Sequence, residues 1–275
     1  MSAITSGRLE RSDASIYFEV TGSGPALVFA HGLGGNHMSW WQQAPFFAER
    51  YTCVTFAHRG FTPSLTGNPD PTEFAGDLGA LLDRLRVEKA ALVAQSMGGW
   101  TCLDFSIRYP QRVWALVMAS TSGIVAPHTL PASELQKVQE WMSAHAGMEA
   151  DLFRRGIHPA AGERMAREQP ALEFLYRQMD RMTDGLDKNA LRGKVLAART
   201  LPASRLRELR MPVLFVTGTE DIVIPPPLVE ALAAMVPEAK LEVVPEAGHS
   251  VYFERAERFN RVVDQFLSES LARLR

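Results

Sequence analysis

Residues 91–99 read ALVAQSMGG, an apolar run that leads directly into Ser96 and is followed by Met97 and two glycines. A continuous apolar run is typical of a strand covered on both faces, and the next segment has a helical pattern. Ser96 is therefore predicted to lie on a sharp strand-to-helix turn that presents its Oγ above the sheet edge. The small residues Ala94 and Gly98 suit the close approach of the two backbones there.

The same alternation of short apolar strands and helical segments runs through most of the chain. Strands are predicted at residues 16–20, 26–30, 52–57, 90–94, 113–119, 213–217 and 240–244. Helices are predicted at residues 39–50, 72–85, 97–109, 227–236 and 256–274. Strands alternating with helices predict an α/β fold with a doubly wound, mostly parallel sheet.

The strand pattern stops between residues 122 and 210, where only helical patterns remain. In one of them Leu135, Val138, Trp141 and Met142 share a helix face. We therefore expect an α/β core of residues 1–121 and 211–275, interrupted by a helical cap at residues 122–210. The length of 275 residues suits one large domain with such an insertion.

The charge balance gives no reason to expect a nucleic acid or an anionic membrane as partner. Lys and Arg number 29 against 31 Asp and Glu, a net charge of −2.

Cys53 and Cys102 lie in apolar runs, which predicts buried thiols and no disulfide or metal site. The first residues lack the apolar stretch of a signal peptide, and no run approaches the ~18 residues that span a bilayer. A cytoplasmic protein is expected, of undetermined oligomeric state.

The segment around Ser96 resembles the nucleophile elbow of the α/β-hydrolase family, usually written G-x-S-x-G, with Ala94 in place of the first glycine. The resemblance implies that fold and a catalytic triad of serine, histidine and acid. The alternative for an isolated serine of this kind is an N-cap of the following helix. A haloalkane dehalogenase is disfavoured, because its chemistry uses an aspartate where this chain has Ser96.

The family's chain order, serine then acid then histidine, selects the partners of the nucleophile. Of seven histidines only His249 follows the last predicted strand, in VVPEAGHSVYF at residues 243–253. It is the expected general base. Asp221 follows another strand in VLFVTGTEDIVIPP, residues 213–226, and the family's G-x-x-D spacing from Gly218 selects it over Glu220. Its alternative role is an Asx turn or helix cap before the prolines.

A glycine-rich loop, HGLGG at residues 31–35, follows the strand at residues 26–30. By resemblance to the family's HG loop, the N–H groups of Leu33 and Met97 are expected to form the oxyanion hole. A phosphate-binding loop is disfavoured because the Lys-Ser/Thr ending and the G-x-G-x-x-G spacing are both missing. His31 is expected to be structural. Arg59, in FAHRGFTPS at residues 56–64, matches the family's D-x-R-G-x-G-x-S in part and is also expected to be structural.

Apolar residues near the loops or in the cap are predicted to line the substrate pocket, although each would also suit the core. The candidates are Trp40, Trp100, Trp141, Met142, Phe174 and Val223, beside Leu33 and Met97. The cap also carries arginines, one of which could pair with a substrate carboxylate: Arg154, Arg155, Arg164, Arg167, Arg177 and Arg181.

Residues 217–253 are similar to the enol-lactonase, haloperoxidase-like and carbon–carbon hydrolase branches alike. The resemblance implies hydrolysis of a small, partly hydrophobic ester or lactone, or of a carbon–carbon bond, through an acyl-enzyme on Ser96. No cofactor or metal is expected. Two alternatives stay open: a cofactor-free lyase or oxygenase that uses His249 as base, and a hydrolase-like receptor with slow turnover.

Overall fold

The central sheet unites the strands that the apolar runs predict. The computed structural model describes residues 3–273, and within them the strands are β1 (Thr5–Glu10), β2 (Ala14–Gly22), β3 (Ala26–Ala30), β4 (Thr52–Phe56), β5 (Leu65–Thr66), β6 (Ala90–Gln95), β7 (Val113–Ala119), β8 (Val213–Gly218) and β9 (Lys240–Val244). They lie in the order β1-β2-β4-β3-β6-β7-β8-β9, and β5 pairs with β2. Pairing is antiparallel around β2 and parallel from β4 to β9. The predicted mostly parallel sheet is confirmed.

Helices cover both faces of this sheet. In the same residues they are α1 (Ala44–Phe47), α2 (Phe74–Arg84), α3 (Gly98–Arg108), α4 (Ala132–Ala144), α5 (Met148–Arg154), α6 (Gly162–Glu168), α7 (Pro170–Arg181), α8 (Lys188–Ala197), α9 (Pro226–Met235), α10 (Val251–Glu254) and α11 (Ala256–Ala272). The core forms two layers. Val28 of β3 faces α2, α3 and α9, whereas Leu27 and Phe29 face α1 and α11. This alternation of side chains gives the doubly wound arrangement.

Differences from the predicted elements have local causes. The helix expected at residues 39–50 is a 3₁₀ turn at His37–Trp40, capped by the Asn36 side chain, followed by the short α1. Strand β1, TSGRLE, carries almost no apolar signal because it is an edge strand with one buried side chain. The last predicted helix ends at Ala272, and Leu274, like residues 1, 2 and 275 of the expected core, lies outside the described residues.

Between β7 and β8 the chain forms helices α4–α8 and no strand of the sheet. The two ends of this segment meet at a parallel bridge between Val125 and Leu201. There the N–H of Ala126 donates to Leu201 O, and the N–H of Leu201 donates to Ile124 O, both at 2.9 Å. The segment therefore leaves and rejoins the sheet at one point. Across residues 3–273, no helix combines the length and apolar character needed to cross a membrane.

Candidate active site

Ser96 lies on the sharp turn that joins β6 to α3. Its φ of +50° places it in the left-handed region, which costs a non-glycine residue free energy and is tolerated where the surroundings impose it. The Ser96 N–H donates to Ala119 O at 3.0 Å, which ties the turn to the end of β7. A Cβ on Gly98 would lie 2.1 Å from Ala30 O, so α3 begins against the end of β3. Only glycine permits this contact.

The imidazole of His249 lies against the carboxylate of Asp221. Its Nδ1 atom is 3.1 and 3.0 Å from the two Asp221 carboxylate oxygens, and both side chains are buried. Asp221 Oδ1 also accepts from the N–H groups of Val223 and Ile224, each at 2.9 Å. The Asx turn proposed as an alternative is therefore present, and it holds the carboxylate in place against the imidazole.

Glu220 lies elsewhere. Both of its carboxylate oxygens accept hydrogen bonds from Arg164 of α6, the shortest at 2.6 Å. This partly exposed ion pair lowers the pKa of Glu220. Of the two neighbouring carboxylates, only Asp221 contacts the histidine.

Ser96 and His249 line one cavity of about 660 Å³, a volume in the range of small-molecule sites. A hydrogen bond connects the segments that carry them, because Gln95 Nε2 donates to His249 O at 3.3 Å. The Asp221–His249 pair and Ser96 are thus brought to one edge of the sheet, where β6, β8 and β9 end.

The glycine-rich loop after β3 passes directly beside Ser96. A Cβ on Gly32 would lie 2.2 Å from Gln95 Oε1 and 3.0 Å from Ser96 Cβ. Leu33 and Met97 both line the cavity. Within residues 3–273 neither the N–H of Leu33 nor that of Met97 donates to a protein acceptor. Two unused donors beside the serine are what an oxyanion hole requires.

The sequence of this chain matches a known protein family. The model of the alpha/beta hydrolase fold matches residues 25–256. The chain belongs to the α/β-hydrolase family. The 2-hydroxy-6-oxo-6-phenylhexa-2,4-dienoate hydrolase of Comamonas testosteroni is 27% identical over 94% of this chain and 93% of its own. The 3-oxoadipate enol-lactonase 2 of Acinetobacter baylyi is 26% identical over 87% of each chain.

Solved structures show the same fold. Est816, an N-acyl homoserine lactone degrading enzyme, has a TM-score of 0.75 and 25% identity, and the match covers 94% of this chain and 100% of that one. The resemblance to α/β hydrolases is confirmed, and related members hydrolyse small molecules such as lactones.

In this α/β hydrolase, two buried histidines support the loop beside Ser96. His31 Nε2 accepts the backbone N–H of His58 at 3.0 Å, so the proton of His31 sits on Nδ1, which donates to Gly32 O at 2.7 Å. His58 Nε2 lies 2.7 Å from Thr101 Oγ1. Burial lowers the pKa of His31 to about 3 and that of His58 well below its ordinary value. Both rings therefore stay neutral, which suits support of the loop and not proton transfer.

Arg59 has a structural position in this α/β hydrolase. Its guanidinium is 1% exposed and makes two hydrogen bonds of 2.8 Å to Asp77 and one of 2.8 Å to Asp13. These bonds satisfy the buried charge and fix the segment that follows β4.

Three of the residues predicted to line the pocket do so: Trp100, Met142 and Val223. The other three lie elsewhere. Trp40 packs between Phe29 and Tyr252 in the core, with ring centres 5.1 and 4.6 Å away. The Trp141 ring stacks on the His145 ring, with the ring centres 3.9 Å apart. Val138 and Met142, four residues apart, form the face of α4 that lines the cavity, and Trp141 lies beside that face. Phe174 is 57% exposed on α7, where Tyr176 faces the cavity instead.

Sequence reasoning missed a set of polar residues in the cavity wall: Glu149, His158, Tyr176, Asp180, Lys188, Arg192 and Arg199. None of the six predicted cap arginines lines the cavity. A signal was present, because Lys188, Arg192, Val195 and Arg199 recur every three or four residues and so share a helix face. In residues 3–273, no group of three or more His, Cys, Asp or Glu could hold a metal ion.

Proposed function

We propose that this α/β hydrolase is a serine hydrolase that cleaves a small ester or lactone through an acyl-enzyme on Ser96. The observation that carries the proposal is the Asp221–His249 contact at the cavity that Ser96 also lines. A serine needs a base to become a nucleophile, and the base needs a third group to orient it. His249 and Asp221 supply these two roles.

The chemical steps follow from this arrangement. Asp221 accepts from Nδ1–H of His249, which leaves Nε2 unprotonated to take the proton of Ser96 Oγ as the oxygen attacks the substrate carbonyl. The resulting oxyanion accepts from the N–H groups of Leu33 and Met97. Collapse breaks the bond to the leaving oxygen, which takes the proton from His249. Water, deprotonated by His249, then attacks the acyl-enzyme, the bond to Ser96 Oγ breaks, and His249 returns the proton to that oxygen as the acid leaves. No step calls for a cofactor or a metal ion.

The cavity wall supports a partly hydrophobic substrate. Leu33, Trp100, Val138, Met142 and Val223 place apolar side chains around it. Two relatives are named for small-molecule substrates, a phenyl-substituted dienoate and an enol-lactone. Carbon–carbon hydrolysis is the alternative within the same fold, and its test is turnover of a vinylogous diketone in place of an ester.

We also propose that residues 122–210 act as a cap that selects the substrate while the core performs the chemistry. Helices α4, α5, α7 and α8 contribute to the cavity wall, whereas Ser96, Asp221 and His249 follow strands of the sheet. Ligands bind at the carboxyl edge of such sheets, and the segment after β7 emerges at that edge.

The cytoplasmic location expected from the sequence remains a prediction.

A fluorophosphonate probe tests the proposal directly, because it bonds only to an activated serine. We expect labelling of the wild-type protein at Ser96, established by mass spectrometry of the labelled peptide, and none in Ser96→Ala. A panel of 4-nitrophenyl esters and lactones then measures turnover. Labelling without turnover of any ester or lactone would favour the receptor, and substrate conversion by Ser96→Ala would favour the lyase or oxygenase.

A further inference from the structure

The charges in the cavity wall do not cancel. Lys188 Nζ lies 2.5 Å from Asp180 Oδ1, and Arg192 Nη1 lies 2.7 Å from Glu149 Oε1, so these four residues form two ion pairs. Arg199 is the remaining cation, and it has no ion pair with any residue in the range 3–273. Apart from the histidines, the charged side chains that line the cavity therefore leave one positive charge.

Arg199 is held in place although it has no anionic partner. Its guanidinium carbon lies 5.1 Å from the centre of the Trp100 ring, a cation–π contact. The ring is itself fixed, because Trp100 Nε1 donates to Val195 O at 2.7 Å. Arg199 Nε is buried and has no hydrogen-bond partner within the part of the chain that the structure describes.

The electrostatic surroundings of Arg199 favour an anion. Burial, and then the charge of nearby Arg192, lower the pKa of Arg199. An arginine stays protonated even so. The guanidinium is therefore a partly buried positive charge without an anionic partner, which is unfavourable in free energy. A carboxylate bound to the guanidinium would relieve both effects and supply acceptors for its planar fork of N–H groups.

The position of Arg199 relative to the nucleophile limits the ligand. Trp100 lies in the first turn of α3, which begins two residues after Ser96. Arg199 stacks on that ring and lines the same cavity as Ser96. Because this cavity of about 660 Å³ holds only a small molecule, a carboxylate bound by Arg199 would be a few carbons from a carbonyl at Ser96.

We propose that Arg199, held against Trp100, binds a carboxylate of the substrate, so that the preferred substrates are monoanionic esters or lactones with the carboxylate a few carbons from the reacting carbonyl. This inference rests on the proposed function, whose substrate class it narrows. Arg192 is paired with Glu149, so its charge attracts the substrate carboxylate only at long range.

Matched ester pairs test it. On the acyl side, 4-nitrophenyl hydrogen glutarate is compared with 4-nitrophenyl pentanoate. On the alcohol side, 4-carboxyphenyl butyrate is compared with phenyl butyrate. The wild-type protein should show a higher kcat/KM for the anionic member of at least one pair. Arg199→Gln should lower that kcat/KM roughly 10- to 100-fold, as expected for a partly buried charged hydrogen bond, and lower the neutral ester's value much less.

Two further variants complete the test. Arg199→Lys keeps the charge but loses the planar fork, so the ratio between the two esters should be intermediate. Arg181→Gln removes an exposed arginine of α7 that does not line the cavity, and the ratio should not change. The proposal is overturned if wild type prefers neither anionic ester, or if Arg199→Gln lowers both members of a pair equally. Should Arg199→Gln not fold, the wild-type preference and Arg199→Lys decide.

Binding separates failure of this inference from failure of the proposed function. If wild type hydrolyses no ester or lactone, serine hydrolysis is wrong, and the carboxylate site is then judged in Ser96→Ala by isothermal titration with glutarate. Heat of binding that Arg199→Gln abolishes in that background supports the site. Equal binding with and without Arg199, or no binding at all, contradicts it.

Discussion

The Nδ1 atom of His249 lies 3.0 Å from Oδ2 of Asp221, with the two side chains 3% and 0% exposed. Because the same carboxylate accepts two backbone N–H groups through Oδ1, its position is set by the chain turn that follows β8. This turn therefore fixes the carboxylate that contacts the imidazole.

Replacement of Asp221 tests this orientation. Asp221→Asn should fold but lose about 10³- to 10⁴-fold in kcat, because an amide permits the wrong imidazole tautomer and cannot stabilise an imidazolium. Glu220→Gln is the matched control: its carboxylate contacts Arg164, and the loss should be less than about threefold, the usual scale of an exposed ion pair. Initial rates on one 4-nitrophenyl ester give both values. If Glu220→Gln lost more activity than Asp221→Asn, the acid of the triad would be Glu220.

Ser96 and His249 should behave as one unit. Ser96→Ala and His249→Ala are each expected to lower kcat roughly 10⁴- to 10⁶-fold, and the double variant should lose little more, since neither residue works without the other. Steady-state kinetics of the three proteins, with circular dichroism to establish folding, make the comparison. Losses that multiply in the double variant would mean that the two residues act independently.

Glu254 is expected to make stability depend on pH. Its Oε1 accepts the Gly248 N–H at 2.7 Å, and burial raises the pKa of its carboxyl to about 7 from an ordinary value near 4.5. The folded protein holds this proton after the unfolded chain has released it. The contribution to stability is thus complete below about pH 4.5 and lost as pH rises through about 7, an amount of up to about 3 kcal/mol.

Glu254→Gln should remove this dependence, because glutamine keeps an oxygen for Gly248 and carries no charge. The melting temperature of the variant relative to wild type should therefore rise between pH 5 and pH 8, as measured by thermal denaturation at several pH values. Glu257→Gln, at an exposed position of α11, serves as control and should follow wild type. Parallel curves for Glu254→Gln and wild type would show that this carboxyl titrates normally.

Met142 should influence the choice of substrate more than Trp141 does. Met142 lines the cavity from α4, whereas Trp141 stacks on His145. Met142→Ala is expected to change the ratio of kcat/KM between short and long acyl esters, each lost contact being worth about 1–3 kcal/mol. Trp141→Ala should leave the ratio near that of wild type. If only Trp141→Ala changes selectivity, the substrate enters on a different side of α4.

What the sequence by itself determined lies in local patterns. The buried strands are continuous apolar runs, and β3 and β7 have the predicted bounds, as does the more exposed edge strand β9. The elbow at Ser96 and the loop that carries Asp221 follow buried strands directly, whereas the loop that carries His249 follows β9. Residues at the carboxyl ends of parallel strands meet at one edge, and the chain order of the α/β-hydrolase family selected these three residues as candidates.

The cavity wall was decided by tertiary structure alone. An apolar side chain suits a core as well as a pocket, so nothing in the local sequence separates Trp40, packed on Phe29, from Trp100, which lines the cavity. The orientation of the inserted helices makes that choice. Likewise Arg199 meets Trp100 only because α3 and the end of α8, almost a hundred residues apart, pack together. Whether a charge is paired depends on such distant neighbours, and a sequence pattern does not contain them.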